Sequence, residues 1–159
     1  MSAACLHVMP VLKPGECRRL LRRFDKLPPG APNSMNRYGA KLDGEWSRWA
    51  DALVAEHVAP VAKRCYGMRL RARGHYAFLV RYQVGKQRSL APHVDSSDVT
   101  LNLCLGESFS GGDVEFENGV LVGHAVGRAL VHRGDCAHRA TPLERGRRVN
   151  LIVWCRRTR

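Results

Sequence analysis

His93 and Asp95 lie two residues apart in the segment LAPHVDSSD. In extended chain such residues point to the same side, so one imidazole and one carboxylate can reach a common metal ion. The pair alone is a frequent accident in a chain with 7 histidines. His138, in GDCAHRATP, offers a third donor. Two histidines and one carboxylate hold one face of an octahedron and leave three positions open, which suits Fe(II) with an organic acid and O2 as further ligands. A bound acid calls for a cation, and Arg148 follows His138 at the start of RRVNLIVWC. Its planar guanidinium can hold a carboxylate through two parallel bonds. Arg147 is the alternative, because a one-residue shift in strand register exchanges which of the two faces inward. His132 competes with His138 as the third ligand but lies too far before Arg148, and reads as a packed histidine. His7, His57, His75 and His124 have no carboxylate or arginine at useful spacing and read as structural.

Those side chains need a framework, and the texture of the chain changes once along its length. In residues 1–70 the apolar positions recur at helical spacing. Cys17, Leu20, Leu21, Phe24 and Leu27 form one face while Arg18, Arg19, Arg22 and Arg23 form most of the other, until Pro28, Pro29 and Gly30 stop the helix. Trp46, Trp49, Ala50, Leu53, Val54 and His57 make a second core-facing stripe, which Pro60 is expected to end or kink. From about residue 75 short β-type runs alternate with Gly-rich turns: HYAFLVRYQV, VTLNLCL, GGDVEFE, GVLVGH, GRALVH and RRVNLIVWC. The expectation is α+β, mainly β, with supporting helices over about 1–70 and a sandwich or barrel over about 75–155, in one domain, 1–159.

At 45% apolar and 25% charged residues the composition excludes wholesale disorder, collagen-like repeats and coiled coil. The net charge of +12 favours an acidic partner or substrate. It is not evenly spread, since between Ser89 and Gly127 there is no Lys or Arg, while Asp95, Asp98, Glu107, Asp113, Glu115 and Glu117 all fall there. The six cysteines (Cys5, Cys17, Cys65, Cys104, Cys136 and Cys155) have no C-x-x-C spacing and read as small buried hydrophobes in a reducing compartment. The first residues, MSAACLHVMPVLKPG, lack a basic segment ahead of an apolar one, and no apolar run approaches the ~18 residues of a membrane span. The expected location is the cytoplasm or nucleus.

AFLVRYQVGKQRSLAPHVDSSDVTLNLCLGESFSGGDVEFENG resembles the lysyl hydroxylase catalytic core: the strand into R-Y, the S-L-x-P-H-x-D turn, the T-L-N-L strand and the G-G-D-x-x-F hairpin. HRGDCAHRATPLERGRRVNLIVW is similar to that family's closing segment, and PNSMNRYG to a word of the 2-oxoglutarate oxygenase-domain proteins. The family is that of the Fe(II)- and 2-oxoglutarate-dependent oxygenases, in its prolyl/lysyl hydroxylase branch. The resemblance implies a double-stranded β-helix, or jelly roll, with N-terminal supporting helices. It also implies Fe(II), 2-oxoglutarate and O2, with His93, Asp95 and His138 as metal ligands and Arg148 as the partner of the distal 2-oxoglutarate carboxylate. Tyr82 matches a tyrosine that hydrogen-bonds the cosubstrate in the prolyl hydroxylase branch. Thr100 and Asn102 alternate on one strand face and would point into the barrel, toward the cosubstrate or an internal hydrogen-bond partner.

The implied reaction is hydroxylation of a C–H bond, with release of succinate and CO2. A Lys or Pro side chain of a protein or peptide is the nearest substrate by resemblance. Net charge makes nucleic acid the second, through phosphate binding, although Ile152 and Trp154 depart from the ending of the dealkylases. A non-catalytic basic binding protein on the same scaffold is the third.

Overall fold

The computed structural model describes residues 6–159, so Cys5 and the first part of the N-terminal stretch lie outside the described residues. A short strand, β1 (His7–Pro10), precedes the first helix and had no signal in the sequence. Helix α1 (Pro14–Phe24) starts on a proline, whose missing N–H costs nothing at that position. The Lys13 N–H donates to the Glu16 carboxylate at 2.7 Å, satisfying a donor that the helix leaves free. Cys17, Leu21 and Phe24 are buried, and the four arginines expected on the opposite face are exposed.

The second helical stretch corrects an expectation. Pro60 does not end it: α2 (Glu45–Leu53) runs through a π-helical turn (Val54–Val58) into α3 (Ala59–Tyr66). The N–H of Ala59 reaches the carbonyl of Val54, five residues back, so the turn widens just before the proline. Pro60 then sits in the first turn of α3, where it owes no hydrogen bond. Phe24 packs against Trp46 and Trp49 with ring centroids 4.7 and 6.0 Å away, tying α1 to α2. Both tryptophans are half-buried against the core, as the stripe required.

The β portion begins with β2 (Ala40–Lys41), which lies between α1 and α2 in the chain. It continues with β3 (Tyr76–Gln83), β4 (Leu90–His93), β5 (Val99–Gly106), β6 (Phe109–Gly111) and β7 (Val114–Phe116). Then follow β8 (Leu121–Val122), β9 (Arg128–Arg133), β10 (His138–Ala140) and β11 (Leu143–Cys155). The larger antiparallel sheet has the order β1-β9-β5-β11-β3-β2, with β6 on the early part of β11; the smaller has the order β4-β10-β7-β8. This is the double-stranded β-helix.

Alternation along β11 divides its two faces. Val149, Leu151 and Val153 join the core cluster that contains the helices, while Arg148, Asn150, Ile152 and Trp154 line a cavity of about 180 Å³ between the sheets. The cross-strand register places Tyr82 opposite Arg148, Val80 opposite Asn150 and Phe78 opposite Ile152, so β3 supplies the neighbouring row of the same wall.

The acidic stretch is drawn into ion pairs with basic segments from elsewhere in the chain. Asp98 pairs with Arg157 at 3.6 Å, Glu107 with Arg147 at 2.7 Å, and Glu115 with Arg139. Cys17, Cys104, Cys136 and Cys155 are buried and Cys65 is exposed, and no disulfide joins two of the described cysteines. Among the described residues no helix is long and apolar enough to cross a membrane.

Candidate active site

His93 ends β4, His138 begins β10, and the ladder of the smaller sheet sets them directly opposite each other. Their rings lie 4.4 Å apart between centroids. Asp95 follows in the turn after β4, and its N–H donates to the carbonyl of Gly134 at 2.9 Å. One donor atom from each of His93, Asp95 and His138 lies within 4.8 Å of the other two, the only such trio among the described residues. Asp95 Oδ1 is 3.5 Å from His93 Nε2 and 3.8 Å from His138 Nε2.

The tautomers follow from the backbone. His93 Nδ1 is 2.7 Å from the carbonyl of Ala91, and His138 Nδ1 is 2.8 Å from that of Cys136. A carbonyl only accepts, so each ring donates from Nδ1 and turns the lone pair of Nε2 toward Asp95. Such outer bonds are how proteins fix metal-binding imidazoles. On the other side of the carboxylate, Thr100 Oγ1 donates to Asp95 Oδ2 at 2.7 Å and lies 2.7 Å from Ser97 Oγ. One carboxylate oxygen is thereby anchored and the other left to face the histidines.

Burial works to raise the Asp95 pKa, but the neighbouring imidazoles of His93, His132 and His138, and the Thr100 hydroxyl, hold it below the usual carboxylate value. Burial lowers His138. His93 goes the other way: burial opposes its charge, yet the Asp95 carboxylate and the Ala91 carbonyl raise it. His132 is buried, donates from Nδ1 to the Arg133 carbonyl, and sits 3.7 Å from Asp95 Oδ2, the anchored oxygen. Burial and His138 push it down to about 4, and it packs edge-on against Phe116.

Arg148 is 2% exposed, an unusual depth for a guanidinium. It donates to the carbonyl of Gly112, and its Cζ lies 5.1 Å from the Tyr82 ring centroid and 5.5 Å from that of Phe109. Its Nε is buried without a partner. Burial lowers its pKa and pushes the Tyr82 hydroxyl up to about 12, so Tyr82 stays neutral beside it. Arg147 points to the opposite face, where it pairs with Asp25 at 2.8 Å and with Glu107. Asn102 lines the cavity, and its Oδ1 accepts from Asn150 Nδ2 at 2.6 Å. Asn150 and His124 also line it; the sequence does not single out Asn150 as a site residue, and His124 reads there as structural. The alternation through Arg148 and Asn150 on β11 was a usable signal for the first. Nothing local marks the second, which lies in the β8–β9 loop.

The residues present suit a metal and a dicarboxylate: a nitrogen/oxygen trio with free lone pairs and a buried arginine with an unmet donor share one cavity. Fold and site together resemble those of the non-haem iron, 2-oxoglutarate-dependent oxygenases built on the double-stranded β-helix.

The chain is a homologue of the 2-oxoglutarate and iron-dependent oxygenase domain-containing proteins. It is 32% identical over 95% of its length to protein 2 of that name from Homo sapiens, and 33% identical over 95% to a protein of that name from Arabidopsis thaliana. It spans about half the length of these curated relatives, 49% and 45% respectively. Over 74% of the chain it is also 34% identical to the procollagen lysyl hydroxylase and glycosyltransferase of Acanthamoeba polyphaga mimivirus, of which it covers 13%. No family model matches. Among solved structures, the viral collagen prolyl hydroxylase from Paramecium Bursaria Chlorella virus-1 has a TM-score of 0.70 at 15% identity, covering 97% of this chain and 96% of that one. A Pseudomonas putida prolyl-4-hydroxylase has the same TM-score at 20% identity, covering 97% and 93%. These two share the fold.

Proposed function

We propose that this chain is the oxygenase domain, over residues 1–159, of an Fe(II)- and 2-oxoglutarate-dependent dioxygenase that hydroxylates a C–H bond of a protein side chain, lysine or proline. The observation that carries the reading is the pairing, in one cavity, of three converging donors with a buried arginine whose Nε has no partner. His93, Asp95 and His138 would hold the iron, and Arg148 the distal carboxylate of 2-oxoglutarate. When bound, the iron and the 2-oxo acid supply the oxidation, in which one oxygen atom of O2 ends in succinate and the other in the hydroxylated product.

The chain's own residues bind, orient and exclude. Thr100 keeps the Asp95 carboxylate turned so that one oxygen faces the histidines. The carbonyls of Ala91 and Cys136 hold both imidazoles in the ligating tautomer. Tyr82 and Phe109 cover the guanidinium of Arg148, which keeps water from competing for it and strengthens a charge-assisted bond to an acid. Phe78, Val80 and Ile152 give the middle of the cavity an apolar wall against the carbon chain of such a ligand. A protein substrate is supported by the names of the lysyl hydroxylase relatives, the procollagen-lysine,2-oxoglutarate 5-dioxygenase 1 of Mus musculus among them, at 35% identity over 61% of this chain.

The test is uncoupled turnover. Protein purified without oxygen is given Fe(II), 2-oxoglutarate and O2, and succinate is measured for the wild type and Asp95→Ala. Succinate no higher than the Asp95→Ala background refutes the oxygenase reading. Peptides containing lysine or proline, set against methylated oligonucleotides, then identify the substrate by the change in mass, a gain of one oxygen for a hydroxylated peptide and the loss of a methyl carbon for a demethylated oligonucleotide.

A further inference from the structure

Besides Arg148 Nε, four other buried side-chain atoms that lack a partner belong to residues lining the same cavity: Asn36 Oδ1, His124 Nε2, Asn150 Oδ1 and Trp154 Nε1. A sealed polar atom without a bond is costly and calls for an explanation. His124 has one. Asn150 Nδ2 donates to Asn102 Oδ1 at 2.6 Å and also lies 3.2 Å from His124 Nδ1. The amide N–H donates, so Nδ1 accepts and the neutral imidazole carries its hydrogen on Nε2. Burial, with the charge of Arg148 adding to it, pushes the His124 pKa down to about 3, which keeps the ring neutral. The Asn102–Asn150–His124 chain therefore delivers one uncharged N–H donor, unused, to the cavity that contains Arg148.

Arg148 does not saturate an acid by itself. Part of its guanidinium is committed to the Gly112 carbonyl, whereas an ionised carboxylate offers about four acceptor positions. A second, neutral donor adds a bond without setting another cation beside a buried guanidinium. We propose that His124 is a further cosubstrate-binding residue, donating from Nε2 to the distal carboxylate that Arg148 holds. This rests on the cosubstrate reading above. Asn150 is then a positioning residue, which acts by fixing the imidazole tautomer.

The test measures binding in protein loaded with Zn(II), which does not turn over, so that activity is not the readout. Calorimetry compares 2-oxoglutarate with 2-oxobutanoate, which has the same 2-oxo acid head and no distal carboxylate. His124→Leu should weaken 2-oxoglutarate roughly tenfold, the size of one bond to a charged group, and leave 2-oxobutanoate unchanged. His124→Gln, whose amide N–H can stand in for Nε2, should recover most of the loss, and His124→Asn, which reaches only as far as Nδ1, should not. The inference is overturned if His124→Leu binds 2-oxoglutarate as the wild type does, or if both acids weaken equally. Should the leucine variant not fold, the Gln and Asn pair decides alone, and equal affinities overturn it. A wild type that binds neither acid overturns the cosubstrate reading and this inference with it; a wild type that binds 2-oxoglutarate while the variants are unaffected overturns this inference alone.

Discussion

Replacing Thr100 by valine removes one oxygen atom and changes little else in shape. Thr100 is 1% exposed, and its hydroxyl hydrogen goes to Asp95 Oδ2 because a carboxylate can only accept. Ser97 must then donate to Thr100, and the substitution strands two groups at once. The larger cost is to Asp95, which loses a hydrogen bond to a charged group, about 1.5–3 kcal/mol. If that stabilisation is used to hold the carboxylate in its ligating pose, its loss weakens metal binding about 10- to 100-fold, the usual range for groups that orient ligands. Titration of metal-free protein with Co(II), followed through its visible bands, reads the affinity directly. Thr100→Ser keeps the hydroxyl and should bind within about threefold of the wild type. Wild-type affinity in Thr100→Val, or equal damage in the serine and valine variants, would refute the argument that the bond to Asp95 organises the site.

Other expectations follow from neighbouring geometry. Arg148→Met should raise the half-saturating concentration of 2-oxoglutarate by about 100-fold or more in uncoupled turnover, as expected when a buried charge pair loses one partner. Arg147→Met, whose guanidinium faces Asp25 and Glu107, should leave it unchanged and lower stability by about 1 kcal/mol in urea titrations. Gly112→Ala should reproduce the Arg148 phenotype while sparing Co(II) affinity: its φ is +74°, and an added Cβ would stand 2.6 Å from a terminal nitrogen of Arg148. His75 makes stability depend on pH. Its Nδ1 accepts from the Arg156 N–H at 3.0 Å, its Nε2 lies 3.0 Å from the Arg71 carbonyl, and burial lowers its pKa. The folded state therefore binds fewer protons than the unfolded chain, so stability is complete above the ordinary histidine value of 6.5 and falls as pH drops below it. Urea midpoints at pH 7.5 and 5.5 should differ less in His75→Gln than in the wild type.

Much of the site is legible in the sequence because extended chain has a short period. The spacing of His93 and Asp95, and the alternation of Arg148 with Arg147 on β11, carry their geometry locally, and the resemblance adds His138 and Tyr82. What the chain does not advertise depends on tertiary placement. His124 matters through a loop that brings it to Asn150, 26 residues away, and no pattern around it differs from that of a surface histidine. The strands β2, β6 and β8, of two or three residues, are too short to show a period. Pro60 reads as a helix stop, since the ordinary i→i−4 ladder has no place for it. The widened turn at Val54–Val58 that accommodates it involves hydrogen bonds the sequence does not encode by residue type.

The three donors are divided between layers. His93 and His138 belong to a sheet whose strands are two to four residues long, whereas Asp95 is fastened through Thr100 to β5, deep in the long-stranded sheet. A cation held by all three would rivet one layer to the other across their seam. Slowed amide hydrogen exchange in β4, β7, β8 and β10, against a nearly constant background in β3, β5 and β11, would then report metal occupancy without any chemistry taking place.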